Sequence, residues 1–136
     1  MALYVVENVT PANTPATAPL NTAISLPPGI IRKVALQFPE GCAGLVEAQV
    51  LRGGTQIWPT RLSATFSSDG YTIEFEERYE VPQEEDWYLR TWNVDDTYPH
   101  TVTLWLTMDV AAAQAESSTQ ALLDSINAYL ASAEGG

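Results

Sequence analysis

The sequence predicts a mainly β protein. The expected architecture is a single antiparallel β-barrel or jelly-roll-like sandwich, with an extended N-terminal arm before it and a short C-terminal α-helix after it. Three observations predict this. Between Thr22 and Met108, apolar and polar residues alternate at the two-residue period of half-buried strands. Clusters of Gly, Pro, Asn and Asp punctuate these stretches at regular spacing, as in sandwiches, jelly rolls and small barrels. After Asp109 the period changes, and apolar residues recur at helical intervals. The shifts divide the chain into residues 1–21 (strand and proline-rich arm), 22–109 (β body) and 110–136 (linker and amphipathic helix).

Residues 3–9, "LYVVENV", are β-branched and aromatic and predict a short strand. Next comes "TPANTPATAPLN", with Pro11, Pro15 and Pro19. Proline lacks an amide donor and fixes φ, so this stretch is neither a helix nor a central strand. It reads as an extended tether, and the strand before it is expected to pair outside its own body, with another chain.

"TAISL" then runs into the turn Pro27-Pro28-Gly29. "IIRKVALQF" places Val34, Leu36 and Phe38 on one face and Lys33, Ala35 and Gln37 on the other. "LVEAQVL" and "TQIWP" form a hairpin across Gly53 and Gly54, both expected at positive φ. "ATF" leads through "SSDG" to "YTIEFEE", with Ile73 and Phe75 inward. "WYLRTW" follows, and "TVTLWLTM" closes the body with Val102, Leu104, Leu106 and Met108 inward and Trp105 outward. The core is expected to hold Val34, Leu36, Phe38, Val50, Ile73, Phe75, Leu89, Val102, Leu104 and Leu106.

Beyond Asp109, Ser117 and Gln120 have capping-box spacing. A helix over Ser118–Ala133 would carry Leu122, Leu123, Ile126, Tyr129 and Leu130 as one apolar stripe. A helix of that length is marginal alone and contains no Lys or Arg. Its stripe is therefore expected to be docked on a β body, either its own or that of the next subunit, where Trp105 is a candidate floor, or else in a short bundle about a threefold axis.

Composition excludes several functions. Six Lys plus Arg against seventeen Asp plus Glu give a net charge of −11, which repels phosphates and argues against nucleic acid as a partner. No apolar run has the length of a membrane span, and "MALYVVENVT" lacks the basic start of a secretion signal, so no membrane partner is expected. Cys42 is the single cysteine, which excludes an internal disulfide.

"WNVDDTYPHT" holds the one histidine and the densest set of candidate ligands: Asn93, Asp95, Asp96 and His100. A metal site needs these groups to converge, whereas adjacent aspartates on an extended chain point to opposite faces. Asn, Asp-Asp and Pro are also turn chemistry, so the segment is read as a corner rather than a metal site. Catalysis finds no better footing. Cys42 lies in a glycine-flanked turn, and the carboxylates Glu74, Glu76, Glu77, Glu80, Glu84, Glu85 and Asp86 read as a solvated charge run. No phosphate-binding loop, dinucleotide fingerprint or nucleophile elbow is present, and neither enzymatic activity nor a cofactor is expected. The aromatics Trp58, Trp87, Trp92 and Trp105, with Tyr71, Tyr79, Tyr88 and Tyr98, suit either a sugar-stacking platform or core and rim. Trp105, amid outward threonines, reads as a contact residue.

The stretches "PPGIIRKVALQFPEGCAGLVEAQVLRGGTQIWP", "YTIEFEERYEV" and "WNVDDTYPHTVTLWL" together resemble small β-barrel capsid decoration (cement) proteins of tailed bacterial and archaeal viruses. The likeness covers about residues 22–108. It implies a non-enzymatic structural virion protein on the outside of the capsid, present in the host cytoplasm during assembly. Its implied partners are the major capsid protein and copies of itself, commonly as a trimer. The residues expected at interfaces are Leu3, Tyr4, Val5, Val6, Trp105 and the helix stripe Leu122, Leu123, Ile126, Tyr129 and Leu130. A carbohydrate- or receptor-binding module of a virion fibre or tail is the alternative.

Overall fold

Eight alternating stretches form strands: β1 (Ala2–Thr10), β2 (Leu20–Leu26), β3 (Gly29–Gln37), β4 (Val46–Arg52), β5 (Thr55–Trp58), β6 (Thr72–Val81), β7 (Glu85–Asn93) and β8 (His100–Asp109). The computed structural model describes residues 1–110, 123 and 125–127. The strands build two four-stranded antiparallel sheets, ordered β1-β8-β3-β6 and β2-β7-β4-β5. The pairs are nested: β1 joins β8, β2 joins β7, β3 joins β6 and β4 joins β5. This is the strand order of a jelly roll, and the two sheets stack as an open sandwich rather than a closed barrel.

Every second residue of each sheet faces the partner sheet and excludes water. Val34, Leu36, Phe38, Val46, Val50, Leu89, Val102, Leu104 and Leu106 are all fully buried. Ile73 and Phe75, expected in the core, only pack partly buried against it, because β6 is an edge strand with one side open. Alternation also breaks within β3. Its registers with β6 and β8 both shift between Ile31 and Lys33, so Ile31 shares the inner side with Val34. In the β4–β5 hairpin only Gly53 takes a positive φ, at 57°. The "ATF" stretch is no strand of its own; Phe66 makes a single bridge to Ala48.

The N-terminal strand corrects the expectation of a detachable arm. β1 pairs along its whole length with β8 of the same chain, from Ala2 opposite Met108 to Thr10 opposite His100. The reason lies in its inner row. Val6 enters the core, and Asn8 and Thr10 enter a buried polar cluster. The Thr10 hydroxyl donates to Asn8 Oδ1 at 2.7 Å and lies 2.7 Å from Thr91 Oγ1 on the opposite sheet. Asn8 Nδ2 donates to Thr22 Oγ1 at 3.0 Å. These bonds hold the sheets together where apolar packing gives way to loops.

The tether is pinned as well. Thr14 and Asn93 form an isolated antiparallel bridge, and Asn13 N donates to Asp95 O at 2.8 Å.

Candidate functional site

Loop lengths divide the molecule into two ends. The connections β2–β3, β4–β5 and β6–β7 are tight turns, whereas residues 11–19, 38–45, 59–71 and 94–99 cross between the sheets at the other end. This long-loop end carries "WNVDDTYPHT". Asn93, fully buried, donates from Nδ2 to Tyr98 O at 2.9 Å and Thr10 O at 3.2 Å, and its Oδ1 accepts from Asp95 N. Asp95 Oδ1 accepts from Thr97 N at 2.9 Å and Tyr98 N at 3.2 Å, and Oδ2 lies 2.9 Å from His100 Nε2. The Thr97 amide and then the His100 ring hold the Asp95 carboxyl below the usual carboxylate range. Asp96 instead accepts from the Thr97 hydroxyl. Both Asp95 oxygens and the Asn93 amide are thus committed to fixing a corner, as the turn chemistry implied. Among the described residues, no three His, Cys, Asp or Glu side chains group as metal ligands.

The other candidate groups are dispersed. Cys42 is fully buried, and burial, with Asp69 and Asp95 adding to it, pushes its thiol pKa up, opposite to what a nucleophile needs. Most of the carboxylates are engaged singly, by different partners. Glu77 accepts from Trp58 Nε1 and Glu85 from Trp87 Nε1, both at 3.1 Å, and Glu85 also pairs with Arg52 at 2.7 Å. The aromatics make no shared platform. Trp58, Trp87 and Tyr79 pack on one another inside, with Trp58–Tyr79 and Tyr79–Trp87 edge contacts at 5.8 and 5.3 Å. Trp92 donates to Glu47. Tyr88 lies on β7, in the sheet opposite Trp105, and Tyr71 and Tyr98 are exposed on loops.

Trp105 does face outward. On the outer side of its sheet it stands between Val5 of β1 and Ala35 of β3, directly opposite each in register. Leu3, one row along, is 60% exposed and Val5 48% exposed. A shallow depression of about 350 Å³ lies here, with Lys33, Gln37 and Glu74 among its rim residues. Lys33 and Glu74 pair across the rim at 3.3 Å. Of the expected interface residues, Leu3, Val5 and Trp105 therefore share one outer face. Tyr4 and Val6 turn inward, Val6 into the core and Tyr4 packed against it. Leu123 and Ile126 are 49% and 45% exposed in the single chain, so these two are not covered by its own β body. Leu122, Tyr129 and Leu130 lie outside the described residues.

Sequence reading named Tyr71 and Tyr98 among candidate stacking aromatics but did not single out Leu45, Leu62 or Val94 at the tips of the long loops. Leu45, Leu62, Tyr71, Val94 and Tyr98 are all exposed at that end. The same loops hold Asn13, Ala43 and Ser63 at positive φ (55°, 49° and 68°), a costly conformation for residues other than glycine. The available signal was apolar residues between turn residues, without a partner in the alternation.

No family model matches the chain, and no curated protein matches it. Among solved structures, the chain is similar to the Aeromonas hydrophila protein PliG, a periplasmic inhibitor of g-type lysozyme. The identity is 9% and the TM-score 0.39, over 79% of this chain and 85% of that one. It is also similar to FLHE, at 14% identity and a TM-score of 0.35, over 77% of this chain and 94% of that one. Neither likeness is close enough to carry a functional argument.

Proposed function

We propose that this chain is a non-enzymatic structural protein of a virion: a capsid decoration (cement) protein that binds the major capsid protein from outside and stabilises the shell. The observation that carries this reading is the apolar row Val5–Trp105–Ala35, with Leu3 beside it, on the outer face of a sheet where water-facing residues should be polar. An aromatic anchor in a shallow depression with a charged rim is what a protein contact uses. Jelly rolls serve in viral capsid and lectin domains, which is fold-level support alone. Carboxylates already tied to indoles, an arginine or a lysine favour a scaffold over a reaction centre. The test is co-sedimentation with empty capsids of the virus that encodes the chain. Wild type is expected to pellet with them, and Trp105→Ala to lose most of that binding while remaining folded. Wild type left in the supernatant overturns the reading.

The long-loop end favours a second reading, a receptor- or carbohydrate-binding module of a virion fibre or tail. Exposed Tyr71 and Tyr98 on the loops of this end suit ligand contact. A glycan array decides it: binding lost in Tyr71→Ala or Tyr98→Ala but kept in Trp105→Ala supports this reading against the first.

A further inference from the structure

We propose that the free edge of β1 is a self-pairing site, through which two copies of this chain join antiparallel about a twofold axis. Four strands end the two sheets, and three of them are blunted. β6 carries Glu74, Glu76, Arg78 and Glu80 on its outward side and a register shift against β3. β5 has four residues, and the loop after it is held down by Gln56, which donates to Pro59 O and Arg61 O at 2.8 and 3.0 Å. β2 stops between Pro19 and Pro27 and turns only Asn21, Ala23 and Ser25 outward. β1 is the least blunted of the four, with Glu7 its one outward charge. It is nine residues long, its register with β8 is unbroken, and it contains neither proline nor a basic residue. Its outward side chains are Leu3, Val5, Glu7 and Val9, of which the apolar three are 60%, 48% and 61% exposed. A long, regular and mostly apolar edge is a template for another strand.

The strand's own sequence identifies the occupant as a second copy. With the axis at Val6, all nine residues pair, and Leu3 falls opposite the second copy's Val9. Val5 then falls opposite Glu7 and Tyr4 opposite Asn8, so the two Glu7 carboxylates are not face to face. Moving the axis by one residue sets either Val5 opposite Val5 and Leu3 opposite Glu7, or Glu7 opposite Glu7; both shorten the pairing. The Val6 register alone joins the full strand with Leu3 and Val9 opposed and like charges apart. It makes one continuous eight-stranded sheet with both Trp105 side chains on the same outer face. The closure is twofold, where the family resemblance implied threefold.

The isolated full-length chain tests this, so the outcome is separate from the capsid reading. Light scattering is expected to give twice the chain mass, and Val5→Glu, which sets a carboxylate opposite Glu7 twice, to weaken association at least about tenfold with the near-ultraviolet dichroism unchanged. The register is read by cross-linking. Leu3→Cys with Val9→Cys should form a covalent dimer on mild oxidation, and Leu3→Cys with Val5→Cys should not. Cys42 is buried and contributes no thiol to that reaction. A monomeric mass for wild type at every concentration overturns the proposal, as does a dimer that Val5→Glu leaves intact or that the Leu3/Val9 pair fails to cross-link.

Discussion

Thr14 and Asn93 exchange two backbone hydrogen bonds of 2.9 Å, one in each direction, although one lies in the first crossover and the other at the end of β7. That bridge fastens the β1–β2 connection to the β7–β8 corner, and the Asn93 side chain extends the fastening to Thr10 O and Tyr98 O. Asn93→Ala would leave the buried Thr10 carbonyl, the Tyr98 carbonyl and the Asp95 amide without this partner. It should destabilise the fold by about 2–4 kcal/mol, read as a shift of the urea midpoint at unchanged slope.

Acid should loosen the same corner. The Asp95 carboxyl titrates below its ordinary range, held there first by the Thr97 amide and next by His100. A depressed native pKa means the unfolded chain takes up the proton more readily. The contribution of Asp95 is therefore complete above the ordinary carboxylate pKa and is lost as pH falls through the lower native value. Urea midpoints measured from neutral pH downward should show this decline, and Asp95→Asn should flatten it while lowering the neutral-pH midpoint.

Leu104 faces the opposite sheet from the middle of β8 and is fully buried. Leu104→Ala should cost about 2–5 kcal/mol, from the lost transfer energy and the cavity left behind. Thermal unfolding of the variant checks it, and a near-zero change would mean that the β8 register is wrong.

Removing residues 1–10 should unfold the protein rather than trim it. Val6 would leave the core, Thr91 would lose its bonds to Asn8 and Thr10, and the whole β8 edge would open. Loss of near-ultraviolet dichroism and rapid proteolysis are the expected results.

The strands and most of the core were legible because alternation is local. Val102, Leu104 and Leu106 declare their face through Thr103 and Trp105 between them. The outward position of Trp105 followed from the same parity. Pairing was not legible, since the sequence of β1 does not say whether β8 of the same chain or another edge takes it. Pro11, Pro15 and Pro19 suggested a free tether because proline constrains the backbone without naming its contacts; Asn13 and Thr14 make those contacts. The loop tips were hidden for a related reason. Whether Tyr71 or Tyr98 is exposed depends on how four crossovers, distant in sequence, stand beside one another.

The nested strand order also dictates a sequence of events when the chain folds. β4 and β5 meet across two residues, while Ala2 waits for Met108. Each inner pair that closes shortens the effective loop for the next pair outward, so the entropic cost of joining β1 to β8 falls as the rest of the sandwich forms. Closure should run from the β4–β5 hairpin to the rim, with β1 seated last. On the ribosome, β1 emerges well before β8 and must wait for it. Throughout that interval its apolar row has no sheet to join, which makes early synthesis the period of greatest aggregation risk for this chain.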